Sequence, residues 1–307
     1  MKDPKNMQRL PSTAADPRPW LADYFRTRAH LASFKSDFHC DPACTRPGCK
    51  NPDLQVQVSL VDLLGAAFYL EESVSALYRR YYGLGLFSEE RDDWIRMVAL
   101  KLKKPCPFLG NDLCGIYPVR PLPCILFPEY LVAEGKFEAQ ARQEHFRDYL
   151  CFQRPLLLSR ERAGVMARLK KMWARETLIT SFYLFGHGPC YLDFNNLTQE
   201  LLQQAGGLRD TESEESPEPG RVIPQPVLER FFLEHMARCR PFAGVEEKID
   251  HLQDRGGQEE FLRLLQDDRL LRQLKQGGGD RALVFRFAHG KLQATRRSLL
   301  PTEYKFY

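Results

Sequence analysis

The sequence predicts an α+β fold, predominantly helical, organised around a Pro- and Cys-rich loop core that holds a metal or iron–sulfur site, with a small helical and hairpin C-terminal part. Three observations predict it. Several long stretches carry apolar residues at helical spacing. Strand signals appear in a stretch near Trp94 and another near the C terminus. Six of the nine cysteines fall in two tight groups whose neighbours are Asp, Pro, Gly, Asn and Arg, a loop composition.

Along the chain, residues 59–82 carry a helical stripe at Leu60, Leu63, Leu64, Ala67, Leu70, Val74, Leu77 and Tyr81. Ser59 with Asp62 reads as a capping box at its start. From Trp94 to Lys103, Val98, Leu100 and Leu102 alternate with Ala99, Lys101 and Lys103, which predicts a strand. In the stretch 105–124, Pro105, Pro107, Pro118, Pro121 and Pro123 fix φ and remove donors. This predicts a stiff loop rather than helix or central strand. Residues 137–150 read as a helix. Residues 157–185 read as a long one, with Val165, Met166, Leu169, Met172, Trp173, Ile179 and Phe182 inward and Gly186 and Pro189 ending it. The stretch 206–226 is acidic and Pro-rich, a linker. Short amphipathic helices follow at 227–238 and 244–275. A hairpin is expected from Ala282 to Thr295, turning at His289-Gly290. The expected organisation is a cysteine-cluster domain at 1–205 with its motif core at 36–155, the linker, and a C-terminal region at 227–307.

The cysteines carry the chemistry. Cys40, Cys44 and Cys49 form one group, Cys106, Cys114 and Cys124 the other, and Cys151 follows. A disulfide framework belongs to small secreted domains that cannot build a core; a chain of 307 residues can. The opening M-K-D-P-K-N-M-Q-R-L-P-S has no apolar run and does not read as a signal peptide. The expected setting is therefore reducing and cytoplasmic, where clustered cysteines point to metal. The competing reading, buried cysteine as a small hydrophobe, suits Cys190 and Cys239. The spacing Cys40-x3-Cys44 falls in the range of a zinc pair, while none of the spacings reproduces a common ferredoxin run. Seven thiols exceed one four-ligand site, so either two sites share them or some only pack. His39 is a further candidate beside Cys40. Lys101, Lys103, Lys104 and Arg120 supply positive charge that favours thiolate.

These residues resemble those of the YkgJ-like cysteine-cluster family of zinc- or iron-chelating proteins, to which the flagellin lysine N-methylases are related. The similar segments are Cys106-Pro107-Phe108-Leu109, then Cys114-Gly115-Ile116-Tyr117-Pro118-Val119-Arg120-Pro121-Leu122-Pro123-Cys124, then Phe127-Pro128. The first group departs from the family's compact run: Lys50 follows Cys49 where the family often has an adjacent cysteine. One ligand is thus missing or supplied by Cys151. The resemblance spans roughly residues 36–155 and implies a bacterial-type metal-binding protein. It also implies, as the alternative, an S-adenosylmethionine-dependent protein lysine N-methyltransferase acting on a protein substrate.

Other classes are disfavoured. No apolar stretch approaches the ~20 residues that span a bilayer, so membrane insertion is not expected. A net charge of +4 is too mild to argue for nucleic acid. Gly83-Leu84-Gly85 lacks the rest of a phosphate-loop fingerprint, and Gly186-His187-Gly188-Pro189-Cys190 reads as a helix-ending loop rather than a Cys–His dyad. Because every strong ligand candidate is a thiolate, an iron–sulfur cluster is favoured over zinc.

Overall fold

The computed structural model describes residues 19–38, 43–89, 92–206, 225–236, 240–280, 282–288 and 291–297. The fold is α+β and predominantly helical. Its elements run α1 (Pro19–Ser33), α2 (Pro47–Lys50), β1 (Val56–Gln57), α3 (Leu60–Leu70), α4 (Val74–Tyr81), β2 (Tyr82–Glu89), β3 (Asp92–Leu102), β4 (Leu109–Gly110) and β5 (Leu113–Cys114). Then come α5 (Leu122–Leu126), α6 (Glu129–Ala133), α7 (Phe137–Ala141), α8 (Arg160–Phe185), β6 (Cys190–Asp193), α9 (Phe194–Gly206), α10 (Gln225–Met236), α11 (Arg240–Ala243), α12 (Val245–His251), α13 (Arg255–Gln266), α14 (Asp268–Asp280), β7 (Ala282–Ala288) and β8 (Lys291–Arg297).

The expected strand is β3, the centre of the main sheet. β2 runs antiparallel along one edge of it, while β1 and β6 share the other, at opposite ends. β7 then lies parallel to β6, and β8 closes the hairpin with β7. Alternation sorts the two faces. Val98, Leu100 and Leu102 of β3 join Tyr82, Leu84 and Leu86 of β2 in the main core, whereas Ile95 packs on the far face with Tyr191 and Val284. Of the linker expected at 206–226, residues 207–224 lie outside the described residues, as does the hairpin turn at His289-Gly290, while Gly206 ends α9 and Gln225 and Pro226 open α10. The main core runs continuously from Leu21 in α1 to Phe287 in β7.

The long helix α8 is the spine, 26 residues or roughly 39 Å. Ser59 forms the expected capping box, with its hydroxyl accepting from Asp62 N–H and the Asp62 carboxylate accepting from Ser59 N–H. Ser159 caps α8 through Arg162 N–H, and Gly186 ends it in the left-handed region at φ 68°. A second cluster joins α1, α5 and α8 through Leu31, Leu122, Ile125, Leu126, Val165, Met166 and Leu169. At its edge Arg162 donates to both Glu129 oxygens and to the carbonyls of Leu31, Ala32 and Phe34, closing the last turn of α1. A Cβ at Gly65 would come within 2.1 Å of the Phe25 ring, so only glycine lets α1 lie this close to α3.

Three expectations need correction. The stripe over 59–82 is two helices: Glu71 ends α3 at φ 56° and Ser73 caps α4 by accepting from Ala76 N–H. The stretch 137–150 is helical only to Ala141. A continuous helix would spread Phe137, Phe146, Tyr149 and Phe152 along more than 20 Å at about 1.5 Å per residue. The chain instead turns twice more, which tilts Phe146 against Phe152 with ring centroids 5.1 Å apart and sets Phe127 5.9 Å from Tyr149. The proline-rich stretch is mostly loop, yet it contains α5. Pro123 is tolerated there because first-turn N–H groups have no helical acceptor.

Candidate metal centre

The register of the sheet brings the two cysteine groups together. Val56 and Tyr82 both pair with Leu102, from opposite edges of β3. The chain entering β1 carries Cys44 and Cys49; the chain leaving β3 carries Cys106, Cys114 and Cys124. Both groups therefore hang from one end of the sheet. The loops are joined directly. Cys106 N–H donates to Cys49 O at 2.7 Å, and Lys104 Nζ donates to Gly48 O at 2.5 Å. Arg46 Nε donates to Asp112 O at 3.1 Å, and Lys50 pairs with Asp112 at 2.7 Å. The last two contacts are exposed and stabilise little.

Local chemistry shapes each loop. Arg46 adopts φ 57° just before α2, and Pro47 occupies the first turn, which places Cys49 one residue from its end. A Cβ at Gly48 would come within 3.2 Å of the Tyr149 ring; the small residue lets that ring lie against α2. In the second loop, Asn111 and Asp112 stand at φ 49° and 56°. Two consecutive left-handed residues are what a tight two-residue hairpin requires, and Asn and Asp tolerate them best after glycine. The hairpin sets Cys114 opposite Leu109. Cys124 rides on α5, its N–H donating to Pro121 O at 3.0 Å.

Four thiols from these loops act on one another. The Cys49 and Cys106 thiols lie close enough to perturb each other: interaction with Cys106 and then burial raise Cys49, while interaction with Cys49 lowers Cys106. Burial raises Cys114, with the charge of Cys49 adding to it. Burial pushes Cys124 up to about 12, against the pull of Lys104 and Arg120. Thiols held this way bind a metal ion only by releasing protons. Among the described residues, no three His, Cys, Asp or Glu side chains stand in a metal-binding arrangement. Ligation would require these thiols, which lie within electrostatic reach of one another, to rotate onto a common point.

The remaining candidates divide. Cys44 and Cys151 lie with Cys49 within electrostatic reach of Tyr149. Cys40, His39 and Cys239 lie outside the described residues. Cys190 is fully buried in the main core as the first residue of β6, which fits the packing role expected of it. Of the three lysines, Lys104 faces the thiols, whereas Lys101 pairs with Glu229 at 2.6 Å and Lys103 donates to Arg79 O at 2.7 Å. The Arg120 guanidinium lies over the Tyr117 ring at 4.5 Å, and its charge reaches Cys114 and Cys124.

Two features at the site lie beyond the sequence reading. Tyr82, 1% exposed, lies beside the second cysteine loop with its ring tilted on Phe108 at 6.2 Å, and burial, with the charges of Asp62 and the cysteines adding, holds its hydroxyl well above the usual tyrosine range. Behind it lies a buried polar network. Arg28 donates to Asp62 at 2.8 Å and to the carbonyl of Arg120 at 3.1 Å. Glu176 accepts from Tyr24 and from Ser59, each at 2.7 Å. Arg28 thus links the second cysteine loop to the centre of the fold. No helix among the described residues is long and apolar enough to cross a membrane. No family model, curated protein or solved structure matches this chain.

Proposed function

We propose that this chain is a metal-binding protein whose centre is a thiolate site formed by Cys49, Cys106, Cys114 and Cys124, holding an iron–sulfur cluster or zinc. The observation that supports this reading is the joining of the two cysteine loops at one end of the sheet, where Cys106 N–H donates to Cys49 O and Lys104 Nζ to Gly48 O. Thiolate-only ligation suits iron–sulfur clusters and structural zinc, and iron–sulfur is the favoured occupant. Lys104 and Arg120 offset the negative charge that four thiolates would gather. Cys44 and Cys151 form a second group of candidate ligands near Tyr149; Cys40 is a candidate on its sequence position alone. The role is structural or in iron and redox handling; the methyl-transfer alternative rests on the family resemblance alone.

Anaerobic purification followed by metal and acid-labile sulfide analysis tests the proposal. A brown protein with iron and sulfide in equal amounts is expected. A colourless protein with stoichiometric zinc would keep the site and change its occupant. Protein purified anaerobically from metal-supplemented cells that carries neither metal would overturn the reading.

A further inference from the structure

We propose that Cys49 and Cys106 are a thiol–disulfide pair, which closes under mild oxidation and locks the two cysteine loops together. The proposal does not rest on the metal-centre reading. The backbone sets the spacing. Cys106 N–H donates to Cys49 O at 2.7 Å. Only that bond, one carbonyl arm and one N–Cα bond separate the two Cα atoms, so they stand at most roughly 6.6 Å apart. Disulfides span about 4.4–6.8 Å between Cα atoms. Lys104 Nζ donates to Gly48 O at 2.5 Å and so ties the same two segments a second time. The two thiols lie close enough to perturb each other, and both residues are partly exposed, within reach of a small reagent. Cys114 and Cys124 are held otherwise. Cys114 sits opposite Leu109 across its own hairpin, and Cys124 N–H donates to Pro121 O, both within the second loop.

The oxidant is a low-molecular-weight disulfide such as oxidised glutathione, and the step is exchange. One protein thiolate attacks a sulfur of the small disulfide. The small S–S bond breaks, a mixed disulfide forms, and one small thiol leaves. The second protein thiolate then attacks the protein sulfur of the mixed disulfide and displaces the other small thiol. The pair gives up two electrons and two protons; the small disulfide takes both electrons and leaves as two thiols that carry the protons. The new bond closes the chain around β1, α3, α4, β2 and β3. A closure of that length removes much of the unfolded chain's freedom. By linkage, the fold favours the disulfide as much as the disulfide favours the fold.

The test takes the full chain, treated with chelator and reductant, and equilibrates it with graded ratios of reduced to oxidised glutathione. Thiols are then blocked and disulfides mapped by peptide mass. A peptide joining Cys49 to Cys106 is expected, lighter by two hydrogens than the sum of its halves. The link should withstand reduced-to-oxidised ratios about 30–1,000-fold more reducing in the native protein than in urea. The linked protein should melt about 5–10 °C higher than the reduced one. In Cys106→Ser, Cys49 should stop at the mixed disulfide and carry one glutathione. Glutathione on both cysteines of wild type with no link between them would overturn the proposal. So would a link that joins Cys49 or Cys106 to another cysteine instead, or one that forms as readily in urea as in the native state. Because the protein is metal-free throughout, the result is separate from that of the metal analysis.

Discussion

Replacing Cys124 with serine is expected to abolish stoichiometric metal binding and to lower the melting temperature of the metal-replete protein by about 10 °C. The magnitude comes from linkage: a ligand present at a thousand times its dissociation constant adds about 4 kcal/mol to the state that binds it. Cys124 is chosen because it is the thiol carried by α5, which packs on α8 through Leu122, Ile125 and Leu126. The loss should therefore loosen the two cysteine loops first, while α8 keeps its buried stripe. The decisive comparison is with chelator-treated protein, where Cys124→Ser and wild type should melt together. A metal-replete variant that matches wild type would count against a centre that stabilises the fold.

The buried carboxylate of Glu176 carries the second expectation, a dependence of stability on pH. Burial raises Glu176 from the ordinary 4.5 to about 7, against the attraction of Arg28 and the bonds from Tyr24 and Ser59, and with Asp62 adding repulsion. One cation, Arg28, faces two carboxylates here. The folded protein therefore holds the Glu176 proton to higher pH than the unfolded chain does. Its contribution is fully present below about pH 4.5 and is lost as pH rises through about 7, a change of about 3 kcal/mol. In Glu176→Gln that change should vanish. Denaturant melts of both proteins from pH 5 to pH 8 provide the check: the gap between them should shift by about 3 kcal/mol across that range, and parallel profiles would sink the assignment.

Much of the fold could be read locally. The Ser59–Asp62 box, the alternation in β3, the stripe and glycine end of α8, and the C-terminal hairpin each announce themselves within a few residues. What escaped depends on partners far along the chain. The helical stripe runs in phase across Glu71, so nothing in its apolar positions marks the break between α3 and α4. β2 hides behind Gly83-Leu84-Gly85, which reads only as an incomplete phosphate-loop fingerprint, although Tyr82, Leu84 and Leu86 already alternate. β6 is too short to show a period. At the site, cysteine grouping signals the thiols, and the sheet register then decides which of them meet. No local pattern marks Tyr82 as a buried residue beside the second cysteine loop, because that placement follows from the pairing of β2 with β3. Arg28, Asp62 and Glu176 are equally silent in sequence, since a buried ion pair is defined by what packs around it.

The parallel pairing of β6 with β7 bears on the order in which this molecule assembles. Cys190 must find Leu283 across the whole intervening stretch of chain, and contacts so distant in sequence close slowly. Both cysteine loops, by contrast, precede β6 in the chain and pair with elements much nearer to them. The thiol end of the sheet is thus expected to acquire hydrogen-exchange protection before β6 gains its outer neighbour. Pulse labelling during refolding, with β6 and β7 protected no later than β2 and β3, would contradict this. In the interval β6 presents an open edge to any other strand it meets, which makes the arrival of the C-terminal hairpin the step that ends the chain's exposure to self-association.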